Sequence, residues 1–136
     1  MKLQLQDAVR KNEYYFTGYT DMSEIADLFR EYPFEEETLE RAAIHRKNME
    51  NGIRPFSLLL RGMPDTKFEI DQSNVFFDDV SWEIRDGKSR VAAIKDIEKD
   101  FLTGYEIEVT VILATPEKMN AIENNCFLKT GPFGAL

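Results

Sequence analysis

The chain has 136 residues, 43% of them hydrophobic and 31% charged, and carries a formal net charge of −8 with one cysteine and one histidine. That is about one domain's worth of chain, with enough apolar content to bury a core without staples. The lone Cys126 excludes an internal disulfide or a cysteine-rich zinc site, the lone His45 removes most histidine-built triads and metal centres, and the negative charge opposes non-specific binding to nucleic acid, which needs cations to displace counterions.

Free-thiol usage and a polar start, Met1 to Asp7, point to a cytoplasmic protein with no secretory leader. No stretch approaches the roughly 18 apolar residues of a membrane-spanning helix. Charge is segregated along the chain. Arg41, Arg46, Lys47, Arg54 and Arg61 face only Glu50 across their stretch, and a second basic stretch runs from Arg85 to Lys99. Acid collects at 31–40, at 65–79 and near Glu117 and Glu123. A small anionic ligand in one cleft suits this division better than duplex DNA laid over the surface.

In chain order, residues 1–12 have weak amphipathic character and read as a short helix or a flexible arm. Glu13 to Tyr19, aromatic and ending near Gly18, reads as a strand whose rings belong to the core rather than to stacked bases. Asp21 or Ser23 caps a helix marked by Ile25, Leu28 and Phe29 and stopped by Pro33. Glu35, Glu36 and Glu37 load the first turn of a second helix, which runs through Ala42 and Ala43 to Asn51-Gly52. His45 lies on it as a surface or boundary residue.

Pro55 introduces the buried strand Phe56 to Leu60, Gly62 to Asp65 is a turn, and short strands follow at Lys67 to Ile70 and around Val75. Asp71, Asp78, Asp79 and Asp86 are candidates for magnesium, but no spacing specifies a site and turn formation accounts for Asp71 and Asp78. After a loop at 101–104, Tyr105 to Leu113 alternates and then becomes wholly apolar, the clearest strand of the chain. Thr115-Pro116-Glu117 opens a last helix through Met119 and Ile122. Cys126 is buried filler, and the tail from Lys129 is irregular and flexible. Strands interleaved with helices give an α+β fold, a small mixed sheet with packed helices, in a single domain over 1–136.

Chemistry concentrates at Asp86-Gly87-Lys88-Ser89-Arg90, between a strand with Trp82 and Ile84 and a helix with Val91, Ala92, Ile94 and Ile97. A glycine at such a junction permits a sharp bend, and the first helical N–H groups then point outward without an internal partner. With Lys88 and Arg90 beside them, they make a candidate phosphate cradle. Asp86 caps the helix, pairs with Arg90 or Lys88, or orients water near a bound phosphate. Arg90, badly placed for the helix dipole, calls for an anionic or carboxylate partner.

These five residues resemble the Asp-Gly-Gln-His-Arg turn of DGQHR-domain proteins in the ParB/sulfiredoxin-like group, and Tyr14 to Lys129 follows that family's order of elements. Asp86, Gly87 and Arg90 match. Lys88 and Ser89 replace the family's glutamine and histidine, and the turn lacks the thiol of sulfiredoxin. The resemblance implies a ParB/sulfiredoxin-like fold and a nucleotide- or phosphate-binding module, non-catalytic, serving DNA metabolism, DNA-modification defence or its regulation. Asp86, Gly87, Lys88, Ser89 and Arg90 form its ligand site, with a nucleotide as cofactor ahead of magnesium and no structural metal. Its partners are a phosphate ligand, with another protein or a second copy as further candidates and direct DNA binding weak. Two alternatives are a metal-dependent nucleoside triphosphate hydrolase or nuclease using Asp86, and an acidic interaction protein that has lost the ligand.

Overall fold

The computed structural model describes residues 3–55, 57–78, 81–97, 102 and 104–124. Within them the chain runs β1 (Leu3–Arg10), β2 (Tyr15–Asp21), α1 (Met22–Leu28), α2 (Glu36–Glu50), β3 (Ser57–Gly62), β4 (Phe68–Asp71), β5 (Asn74–Phe77), β6 (Glu83–Asp86), α3 (Lys88–Asp96), β7 (Glu106–Leu113) and α4 (Pro116–Asn124). The strands form one mixed sheet in the order β4-β5-β1-β2-β7-β3-β6. Only β3 and β7 pair in parallel, with Leu58 opposite Val109 and Leu60 opposite Val111. This is an α+β fold.

Alternation sorts the strands into two faces, because successive side chains point to opposite sides of a sheet. Leu3, Leu5, Phe16, Leu58, Leu60, Ile84, Val109 and Val111 line one face, and α1, α2 and α3 cover it through Met22, Ile25, Ala42, Met49 and Val91 to Ile94. On the other face α4 sets Met119 and Ile122 on Leu59 and Ile112. The two helical layers explain why β3 and the end of β7 read as continuous apolar runs.

Residues 3–10 correct the sequence reading, since they form a strand between β5 and β2 rather than a helix or an arm. Leu3 and Leu5 alternate with Gln4 and Gln6 as a half-buried strand requires, but a register shift between Gln6 and Val9, with Asp7 at φ 48°, interrupts the pattern. The first helix also ends at Leu28, ahead of Pro33, and its cap is Asp21, whose carboxylate accepts from Ser23 N–H at 2.8 Å. The readings for Cys126, for Asp79, for Phe56 and for the tail from Lys129 lie outside the described residues.

The sheet is strongly coiled. Phe68 of β4 meets Phe16 of β2, three strands away, with ring centroids 5.0 Å apart in an edge-on contact. Phe77 completes the cluster, and the Arg10 guanidinium lies 5.2 Å from the Phe68 centroid. The opposite end of the sheet, where β3 and β6 lie under α2 and α3, is left free to build a site.

Candidate functional site

Gly87 makes the corner between β6 and α3. Its φ of 97° lies in the left-handed region, and a Cβ there would stand 2.5 Å from Leu58 Cδ2. Only a residue without a side chain fits both conditions. Gly87 also occupies the cap position of α3, so no side chain caps the helix. The first intrahelical bond of α3 runs from Val91 N–H to the Gly87 carbonyl. The amides of Lys88, Ser89 and Arg90 precede it and have no partner inside the helix.

Arg90 turns back into the protein. Its guanidinium donates to the Ser57 carbonyl at the start of β3 and to Asp86 Oδ2 at 3.2 Å. The side chain is 22% exposed. The anionic partner that the first-turn arginine demanded is therefore the neighbouring Asp86, and the two residues brace the corner. Of the readings open for Asp86, the ion pair is the one formed.

An open, polar cleft of about 290 Å³ lies over the corner, walled by Thr38 and Arg41 of α2 and by residues 85–90. Lys88 and Arg41 are exposed, and neither is in an ion pair among the described residues. Arg85 is committed elsewhere: it donates to Glu83 Oε1 at 3.0 Å and to Asn120 and Glu123 of α4. Burial alone would raise the Glu83 carboxyl, but hydrogen bonds from Arg61 and Arg85 hold it below the ordinary range. Burial, followed by the charge of Arg90, depresses the His45 imidazole. His45 is half-buried on α2, a boundary residue that feels the charge of Arg90.

All five residues of the turn border one cleft. The sequence left out Thr38, and it recognised Arg41 only as part of a basic stretch. A basic run on an otherwise acidic helix was the available signal, but its apposition to the turn is a product of α2 packing on α3. Asp71 flanks the β4–β5 hairpin and the Asp78 N–H donates to the Lys67 carbonyl. No group of three or more potential metal ligands occurs among the described residues, and no helix among them is long and apolar enough to cross a membrane.

Comparison with family models, curated proteins and solved structures returns no match to this chain. Its functional reading therefore rests on the cleft and on the resemblance of the turn.

Proposed function

We propose that the chain is a nucleotide- or phosphate-binding module that holds its ligand at the start of α3 without cleaving it. The observation that carries this reading is the uncapped first turn of α3 opening into a cleft where Lys88 and Arg41 have no ion-pair partner among the described residues. Outward amides, the positive end of a helix and two cations from different elements are the ingredients of an anion site. Asp86, held by Arg90, serves the wall of that site and not a reaction. A role in DNA metabolism, defence or its regulation follows from the DGQHR-like turn, and the net charge of −8 favours a small ligand over duplex DNA.

Calorimetry and thermal melting with pyrophosphate test the proposal. Binding should raise the melting temperature, and Lys88→Ala or Arg41→Ala should each weaken it by about five- to tenfold, the scale of one charge-assisted contact. A melting temperature indifferent to phosphate, pyrophosphate and nucleoside triphosphates would remove the reading.

A further inference from the structure

Strand register divides the second face of the sheet into two parts. Over β3 and the end of β7 it is covered by α4, through Met119 and Ile122 on Leu59 and Ile112. Over β4, β5, β1, β2 and the start of β7 no described helix packs on it, since α1, α2 and α3 all lie on the other face. Cross-strand partners share a face. The pairs Tyr19–Glu108, Tyr19–Gln6, Val9–Thr17, Gln4–Phe76 and Phe76–Glu69 therefore bring these side chains together on the uncovered part. The sheet coils toward its core side, where Phe68 meets Phe16, and this leaves the uncovered face convex.

Two chemistries meet there. In the middle the fold leaves apolar surface open to solvent: Val9 is 50% exposed and Tyr19 41%, and Phe76 is half-buried. The two sides carry carboxylates, Glu69 and Asp71 on β4 and Glu106 and Glu108 on β7, and none of the four is in an ion pair among the described residues. The paired positions of these five strands put no lysine or arginine on the same part of the face. Exposed apolar side chains rimmed by polar groups mark an interaction surface. The charge selects the occupant. A second copy would set carboxylate against carboxylate, and nucleic acid or an anionic membrane would bring phosphate to them. A convex face also encloses no small molecule. A cationic chain suits both parts, and arginine suits them best, because its guanidinium pairs with carboxylates and stacks on aromatic rings.

We propose that this uncovered face docks an arginine-rich segment of a partner protein, laid across the strands from β7 to β4. Tyr19 stands directly opposite Glu108, with Cβ atoms ~5 Å apart in such a pair, so one guanidinium can lie on the ring and reach the carboxylate. From β7 to β4 is four strand spacings, ~19 Å, which about six residues of extended chain span at ~3.3 Å each. The surface is separate from the cleft at α3, and the proposal does not depend on the anion-binding reading.

Fluorescence anisotropy with labelled octa-arginine and octa-lysine, at about 50 mM salt where surface charge is weakly screened, tests it. Octa-arginine should bind about threefold or more tightly than octa-lysine, the scale of one exposed cation–π contact. The paired variants Glu106→Gln with Glu108→Gln, and Glu69→Gln with Asp71→Asn, should each weaken binding by about fivefold. Glu40→Gln with Glu50→Gln removes the same charge from exposed positions on α2 and should change it less than about twofold. Tyr19→Thr, a strand-compatible change, should erase the preference for arginine. Equal losses in the face and control variants would show that binding follows net charge alone and would overturn the proposal. So would an arginine preference that survives Tyr19→Thr, or the failure of both peptides to bind.

Discussion

Gly87 is held by conformation and by space together, since its φ of 97° suits no side chain and the Leu58 methyl occupies the place of a Cβ. Gly87→Ala should therefore cost about 2–3 kcal/mol, a strained backbone added to a steric displacement in the core. Urea unfolding measures it, and a loss below about 0.5 kcal/mol, ordinary for a surface change, would refute the steric account. The opposite sign is expected at Glu24. One carboxylate oxygen of Glu24 is buried without a hydrogen-bond partner among the described residues, and burial, then the charges of Asp21 and Asp27, raise its pKa. Glu24→Gln removes the charge while keeping the shape, and should stabilise the protein at neutral pH by up to about 1 kcal/mol. That gain should vanish in acid, where Glu24 is itself protonated; an equal gain at both pH values would locate the cause elsewhere.

Among the elements, α4 is the only described helix on its face of the sheet, and its grip is short. Met119 is fully buried against a cluster with Leu59, Ile112 and Ile122, while Arg85 ties the helix to β6 through Asn120 and Glu123. Met119→Ala should cost about 2–4 kcal/mol through lost burial and the cavity left behind. A near-neutral result in chemical denaturation would mean that α4 contributes little to the cooperative unit. Such local elements were legible because period and punctuation agree: β7 alternates through Ile107 and Val109, and Pro116 opens α4. Strand β1 was not, because the shift at Asp7 breaks the period after Gln6. The corner at Gly87 was legible for the same local reason as β7, a glycine between two clear patterns. Its cleft was not, since Thr38 and Arg41 reach it only after α2 packs on α3, and the pairing of Arg90 with the Ser57 carbonyl depends on β3 lying beside β6.

For the whole molecule, acidification brings stabilising and destabilising contributions together. At −8 the compact state repels itself, and lowering the pH toward the pI of about 4.7 relieves that repulsion. Glu24 acts in the same sense: its folded pKa is raised, so protonation favours the folded state as pH falls through that value. His45 acts against it. Its folded pKa lies below the ordinary 6.5, so the unfolded chain takes up the proton first and stability is lost as pH falls from 6.5 toward the folded value. Glu83 and Asp21 bring the final loss, because burial would raise both but hydrogen bonds, from Arg61 and Arg85 to the one and from Ser23 and Gly104 to the other, hold them low. The stability they contribute is present above their ordinary values of 4.5 and 3.8 and disappears as pH falls through their folded pKa values. The melting temperature should accordingly be highest on the acidic side of neutrality and collapse below about pH 4. His45→Gln should lift the curve between pH 6.5 and the optimum without moving the acid limb, and Glu83→Gln should flatten that limb while lowering stability at neutral pH. A His45→Gln curve parallel to wild type across the range would show that the imidazole beside Arg90 does not couple to folding. The same variant, titrated with sulfate, whose charge is constant over that range, then separates the contribution of His45 to the cleft from its contribution to the fold.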